Sequence, residues 1–300
     1  MKTNGHYAGL PAAVNDLKPE QAGAEMVTQF RMEPAVLDAY AEYFCRYLRA
    51  YREEGVTILA VHVQNEPNSC QNFPSCVWRP EDLATFIADY LGPRLRDKEP
   101  RTLLWLGTVE RPQLERVNTI LDSKARSYLS GVGMQWAGKG VVAELHRTHP
   151  ALPLMQTESE CGDGSNDWAA ARHTWDLMHH YLTNGACAYM YWNLVLDETG
   201  SSRWGWRQNA LVTVDRSTRQ VRFNPEYYLM MHFSRFVQRR ASFLKLPAGA
   251  GEPLAFVNPD GRHVLVLSNP AATPLALQVR LSGKSYALEL PPQSFATLVE

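Results

Sequence analysis

The sequence predicts an α/β fold, a parallel sheet with helical crossovers, followed by an antiparallel, sandwich-like module. Three observations predict it. Short apolar runs alternate with helix-length amphipathic patterns between Val56 and Val237. Polar and acidic residues concentrate where two of those apolar runs end. Beyond residue 238 the texture changes to short alternating strands separated by Gly, Pro, Asn and Asp. Strands separated by helices imply parallel pairing, because a parallel connection must run back along the sheet. Alternation with turn residues implies an antiparallel module.

The elements follow in order. The first 30 residues, rich in Gly, Pro, Asn and Ala, read as loop. Val36, Leu37, Tyr40, Phe44, Tyr47, Leu48 and Tyr51 recur at three- and four-residue steps, which predicts a helix from Pro34 to about Glu54 with Gly55 as its C-terminal cap. The β-branched run from Val56 to Val63 predicts a buried strand. Pro80 suits the first position of the next helix, and Leu83, Phe86, Ile87, Tyr90 and Leu91 form its apolar stripe. Strands are then expected from Thr102 to Leu106, Gly131 to Trp136, Leu152 to Thr157 and Ala186 to Asn193. Helices are expected from Gln113 to Asp122, Val141 to Thr148, Asp167 to Thr183 and Pro225 to about Val237. The module beyond has strands at Leu254 to Val257, His263 to Leu267, Leu275 to Leu281, Ser285 to Leu290 and Ser294 to Val299. The expected division is 1–237 and 238–300.

Composition narrows the function classes. In 300 residues, Lys+Arg number 30 against Asp+Glu 31, a formal net charge of -1. That balance argues against nucleic acid or an anionic membrane as the main partner. No apolar run reaches the ~18 residues of a transmembrane helix. The opening Met1-Lys-Thr-Asn-Gly-His is not a signal peptide, so the chain as written is expected in the cytoplasm, with an extracytoplasmic place the alternative if an N-terminal part precedes it. Cys45, Cys70, Cys76, Cys161 and Cys187 contain no C-x-x-C pair, so no zinc site and no other metal site is expected. Cys70 and Cys76 could close a small loop in an oxidising compartment, against the alternative of free thiols. His179-His180 reads as helix packing rather than a metal pair, and Asp163 and Asp167 as loop-shaping and capping residues.

Two strand ends carry the chemistry. One is Gln64-Asn65-Glu66-Pro67-Asn68, and the other is Thr157-Glu158-Ser-Glu160-Cys-Gly-Asp163. Reacting residues in parallel α/β folds collect at the C-terminal ends of strands. Hydrolysis of a glycosidic bond needs two carboxyl groups flanking it, about 5–5.5 Å apart for retention and about 6.5–9.5 Å for inversion. Glu66 and Glu158 are candidates for that pair, and Asn65 is placed to bond a sugar hydroxyl. Glu160 competes with Glu158, since two residues on a continuing pleat share a face.

These residues carry a resemblance. Gln64-Asn65-Glu66-Pro67 resembles the acid/base motif of the barrel glycosidases whose catalytic carboxylates stand on strands four and seven. Gln135-Trp136-Ala-Gly-Lys-Gly, then Leu154-Met-Gln-Thr-Glu-Ser-Glu-Cys-Gly-Asp-Gly, Tyr191-Trp-Asn-Leu-Val-Leu, Val214-Asp215 and Asn224-Pro-Glu-Tyr-Tyr, look like glycoside hydrolase family 30, its glucosylceramidase-like bacterial members above all. The resemblance implies a partial (β/α)8 TIM barrel, about strands 4–8, followed by a C-terminal β-sandwich. It implies Glu66 as acid/base and Glu158, which directly follows the Thr, as nucleophile. It implies Asn65, Gln135, Trp136, Trp192 and Asn193 around the sugar. Trp204, in a Gly/Ser loop after the last strand, is a further candidate as a sugar platform. Gln135 stands where many relatives carry His.

The expected activity is retaining hydrolysis of β-glucosidic bonds in a carbohydrate or glycolipid, with no metal or organic cofactor. An endo-β-1,6-glucanase or xylanase of the same superfamily is the alternative within the class. A non-catalytic carbohydrate-binding or structural remnant is the alternative outside it. About three barrel units are missing relative to the family, so a partner chain or self-association would cover the open strand edges.

Overall fold

A computed structural model of the chain describes residues 2–5, 27–69, 76–202, 205–281 and 283–300. The chain divides into two compact units, Met1–Glu158 with Asn184–Tyr189, and Ser159–Thr183 with Met190–Glu300.

The first unit is built on a parallel sheet in chain order, β3 (Ala60–His62), β4 (Leu103–Val109), β5 (Leu129–Gln135) and β6 (Leu154–Glu158). All of its strands were expected, within a few residues at each end. The preceding stretch is a correction: β1 (Lys2–Gly5) and β2 (Val27–Phe30) pair antiparallel where loop was expected. The Val-Thr-Gln-Phe run has the β-branched and aromatic bias of a strand, too short for periodicity to register.

Helix α1 (Pro34–Glu53) begins with proline in its first turn and buries Leu37, Ala41, Cys45 and Leu48 along one stripe. Its end is a Schellman motif. The Gly55 N–H bonds the Arg52 carbonyl at 3.0 Å, the Val56 N–H bonds Tyr51 at 2.9 Å, and Gly55 holds φ +80°. The helix expected from Pro80 runs through α2 (Pro80–Thr85), a π-helical stretch (Phe86–Leu91) and α3 (Gly92–Lys98). Phe30 stacks on Trp78 with ring centroids 4.4 Å apart, and Tyr40 stacks on Phe86 at 5.3 Å. Helix α4 (Leu114–Leu121) and helix α5 (Val142–Thr148) complete the crossovers. On β5, a Cβ at Gly131 would lie 2.4 Å from the Trp105 ring, and one at Gly133 would lie 2.6 Å from the His62 ring. The glycines of this strand therefore make room for large side chains on its neighbours.

The strand expected from Ala186 to Asn193 is not one strand. Ala186 makes a single parallel bridge with Leu154, supported by the Cys187 N–H to the Leu154 carbonyl at 2.7 Å and the Gln156 N–H to Ala188 at 3.0 Å. Further along, the carbonyls of Asn193 and Leu194 accept instead from the Leu211 and Val212 N–H groups, both at 3.0 Å. One apolar run thus serves two sets of hydrogen-bond partners.

The second unit contains α6 (Trp168–Thr183) and a three-stranded sheet of β7 (Val195–Asp197), β8 (Val212–Val214) and β9 (Val221–Phe223). Helix α7 (Pro225–Ser234) follows, three residues shorter than expected. A four-stranded antiparallel sheet has the order β10 (Ser242–Leu244), β11 (Leu254–Val257), β12 (His263–Asn269) and β15 (Ser294–Val299). The hairpin β13 (Leu275–Leu281) and β14 (Lys284–Leu290) packs against it. Leu275, Leu277 and Val279 alternate inward onto Ala255, Leu265, Leu267 and Leu290. Among the described residues no helix is long and apolar enough to cross a membrane.

Candidate active site

Glu66 follows β3. The ladder continues past the strand, since the Gln64 N–H bonds the Gly107 carbonyl and the Glu66 N–H bonds the Thr108 carbonyl, both at 3.2 Å. The chain then turns sharply at Glu66, whose φ of +50° is the left-handed conformation that L-residues avoid. The Ser69 N–H closes the turn on the Glu66 carbonyl at 3.1 Å. Asn65 is held beside it, its Oδ1 accepting from the Thr108 hydroxyl at 2.9 Å.

Glu158 is the last residue of β6 and is half-buried. Between the two carboxylates stands the end of β5. Gln135 is fully buried, and its Nε2 donates to Glu66 Oε1 at 3.2 Å. The next residue, Trp136, holds φ +47°, and its Nε1–H donates to Glu158 Oε1 at 2.8 Å. Adjacent residues on one strand end therefore hold the two carboxylates, Gln135 bonding Glu66 and bearing on Glu158 as well, Trp136 bonding Glu158. A Cβ at Gly138 would lie 2.0 Å from the Val109 carbonyl oxygen, so this loop comes as close to the end of β4 as main chain allows.

Burial pushes the Glu158 carboxyl above the usual carboxylate range, and the neighbouring charge of Glu66 adds to that; hydrogen bonds from Trp136 and Gln135 act against it. The Thr157 hydroxyl lies 3.3 Å from Gln135 Oε1 and 3.2 Å from the Met134 carbonyl, a donor on the amide end turned away from Glu66.

Glu160 has different surroundings. The β6 ladder ends at Glu158, so the pleat that would have put both carboxylates on one face does not continue. In the second unit Glu160 Oε2 lies 2.8 Å from His173 Nε2 on α6. Trp192 and Asn193 also belong to the second unit. The Trp192 N–H donates to the Ser159 hydroxyl at 3.1 Å, and Asn193 Nδ2 donates to Gln208 Oε1 at 3.0 Å and to the Asn209 carbonyl at 2.9 Å. Trp204 and Cys70 lie outside the described residues, and so does any pairing of Cys70 with Cys76. The first unit thus brings together Asn65, Glu66, Gln135, Trp136 and Glu158.

Sequence reasoning missed a third carboxylate. Glu110, directly after β4, is 1% exposed and accepts hydrogen bonds from the turn that follows Glu66. Its signal was the same as that of Glu66, an acid following a buried strand. Among the described residues no cluster of three or more His, Cys, Asp or Glu could hold a metal ion.

Residues 26–237 match the glycosyl hydrolase family 30 TIM-barrel domain, and residues 252–298 match the family 30 beta sandwich domain. The chain belongs to glycosyl hydrolase family 30. It is 26% identical over 263 residues to the lysosomal acid glucosylceramidase of Mus musculus, covering 80% of this chain and 51% of that protein. It is 28% identical over 266 residues to an endo-1,6-beta-D-glucanase of Neurospora crassa, covering 79% and 53%. The crystal structure of SrfJ from Salmonella typhimurium superposes with a TM-score of 0.81 at 25% identity, covering 91% of this chain and 64% of that one. The chain spans about half the length of the curated relatives it matches.

Proposed function

We propose that this chain carries the catalytic carboxylates of a retaining β-glycosidase, with Glu66 as general acid/base and Glu158 as nucleophile. One observation carries the reading: Gln135 and Trp136, side by side at one strand end, tie Glu66 and Glu158 into one site, Gln135 bonding Glu66 and bearing on Glu158, and Trp136 bonding Glu158. In the first step Glu158 attacks the anomeric carbon while Glu66 gives its proton to the departing glycosidic oxygen. In the second, the Glu66 carboxylate takes a proton from the attacking water and Glu158 leaves as a carboxylate. Trp136 binds Oε1 of Glu158 and supports the charge on the leaving carboxylate. With its Oδ1 taken by Thr108, Asn65 offers its amide N–H groups to a sugar hydroxyl. Two carboxyl groups complete the inventory of bonds and protons without a cofactor.

The substrate class we propose is a β-glucoside of the glucosylceramide kind, supported by likeness to a lysosomal acid glucosylceramidase. A β-1,6-linked glucan is the second reading, supported by comparable likeness to an endo-1,6-beta-D-glucanase. Trp192 and Asn193 are proposed as sugar-lining residues on the family resemblance, in a catalytic part spanning residues 1–237. Among the described residues strand β3 pairs only with β4 in its sheet, and Leu59 beside it is 61% exposed. A further polypeptide segment, or a second copy, pairing there would extend the sheet towards a full barrel, and sedimentation tests the second copy.

Proton NMR of the first-formed sugar tests the mechanism. A β-glucoside should release the β-anomer first, before mutarotation. Initial release of the α-anomer would require a single displacement by water and would overturn the nucleophile assignment.

A further inference from the structure

Glu110 is a buried carboxyl that the double displacement does not use. Its Oε1 accepts the Asn68 main-chain N–H at 3.0 Å and the Ser69 hydroxyl at 2.7 Å, and its Oε2 accepts Asn68 Nδ2–H at 3.3 Å. Arg116, on α4, donates through Nε to Asn68 Oδ1 and through Nη2 to the Trp78 carbonyl. The amide of Asn68 is therefore oriented, oxygen to the guanidinium and nitrogen to Glu110. The Trp78 N–H closes back on the Pro67 carbonyl at 2.8 Å. Three donors from the second and third residues after Glu66 converge on one carboxyl.

Such a carboxyl is costly, and so is the backbone it faces. Glu66 holds φ +50° immediately before a proline, which further restricts the residue preceding it. Backbone of this kind persists where the surroundings over-determine it. The Glu110 contacts supply that determination from the neighbouring strand end.

We infer that Glu110 is a positioning residue for Glu66: by gathering the donors of Asn68 and Ser69 it fixes the turn at Glu66, and so sets where the acid/base carboxyl meets the glycosidic oxygen. The inference rests on the acid/base assignment of Glu66. Burial pushes the Glu110 carboxyl up to about 7, with the charge of Glu66 raising it and the Ser69 hydroxyl and Arg111 holding it down. Protonated Glu110 carries an O–H donor in place of an acceptor. Asn68 cannot reverse its amide to receive that proton while Arg116 holds its oxygen. Among the groups facing Glu110, then, Glu66 and Arg111 act by charge and Arg116 acts through Asn68. The turn is tied most fully when Glu110 is ionised.

The test is a leaving-group series on Glu110→Gln, which keeps the side-chain volume, with Ser69→Ala as a milder second variant. Aryl β-glucosides with poor leaving groups need protonation to depart; 2,4-dinitrophenyl β-glucoside does not. Glu110→Gln should lower kcat/KM about tenfold or more on the poor leaving groups and leave the dinitrophenyl substrate within about twofold. Equal losses on both would mark a merely structural residue and overturn the inference. Glu66→Ala separates the two assignments. If it lowers kcat/KM on both substrates alike, the acid/base reading itself fails; if that loss is selective and the loss in Glu110→Gln is not, only the positioning role fails. An NMR measurement needs no turnover: the Asn68 and Ser69 amide resonances should titrate together with a midpoint near 7, and that titration should vanish in Glu110→Gln. Amide shifts that stay flat in the parent chain from about pH 5 to 9 would overturn it equally.

Discussion

The two strand ends that carry Glu66 and Glu158 are built differently. Glu158 is the last rung of a parallel ladder, in register with Gln135, and its carboxylate is held by the indole N–H of Trp136 and by Gln135 from the neighbouring strand end. Glu66 stands beyond its strand, in a left-handed turn braced from two elements, by Glu110 after β4 and Arg116 on α4. The difference matches the demands of the proposed reaction. A nucleophile needs one oxygen aimed along one line, which a strand end provides. An acid/base group serves a leaving oxygen in one step and a water in the next, and a braced turn holds it where the ladder gives way to the loop.

The sharpest way to break this comparison is at Glu158. Glu158→Gln should abolish turnover of β-glucosides, by on the order of 10⁴-fold or more, while binding of the sugar stays close to that of the parent chain. Kinetics paired with calorimetric titration of a glucoside would check both halves; a variant that turns over normally would move the nucleophile elsewhere.

The indole clamp comes next in size. Trp136→Phe removes a donor that holds the Glu158 carboxyl down while burial holds it up. Attack needs the carboxylate, so activity is lost as pH falls through the Glu158 pKa. Without the indole that pKa rises, and the acid limb of the kcat/KM profile should move to higher pH. The rate at the optimum should fall by about 10²-fold, as for the loss of one preorganised donor. An acid limb that stays in place would detach Trp136 from Glu158.

Glu110 should also be visible in stability. Its carboxyl lies near 7 in the folded chain, above the ordinary 4.5. A raised acid contributes its full stabilisation below the unfolded pKa and loses it as pH rises through the folded one. Stability should therefore fall by about 3 kcal/mol from this group between roughly pH 4.5 and 7, and Glu110→Gln should flatten that slope. Denaturant titrations at several pH values check it.

The smallest expected effect is in the strand between the two loops. Gly131→Ala would set a Cβ 2.4 Å from the Trp105 ring and 2.6 Å from the Pro153 carbonyl, so it should cost about 1–3 kcal/mol. Thermal unfolding would show it as a lowered Tm, and an unchanged Tm would mean that β5 yields at this point.

What could be read from the sequence follows physical lines. The α1 boundaries were legible because Pro34 opens the helix and Gly55 ends it in a motif with few alternatives. Strands β13 and β15 were legible to the residue because alternation has period two and turn residues bracket them. Strands β7 to β10 span three residues each, too few for any period to show. The run from Ala186 to Asn193 was read as one strand because apolar aromatics do not reveal which neighbour takes each N–H. That Glu66 and Glu158 stand at strand ends of one parallel sheet was legible from the apolar runs that precede them. That Gln135 and Trp136 hold them was not, since it depends on the two residues at one strand end turning their side chains to different carboxylates. Glu110 was hidden by its company: in Val109-Glu110-Arg111-Pro112 it looks like the first solvated residue after a strand, and only burial separates it from one.

The central claim, a nucleophile at Glu158 assisted by an acid/base at Glu66, is tested most directly by incubating the folded chain with a 2-deoxy-2-fluoro β-glucoside inactivator and mapping the adduct by mass spectrometry. One glycosyl ester per chain is expected, on the peptide containing Glu158 and on that side chain. An adduct on Glu160, or a folded chain that takes no label, would contradict it.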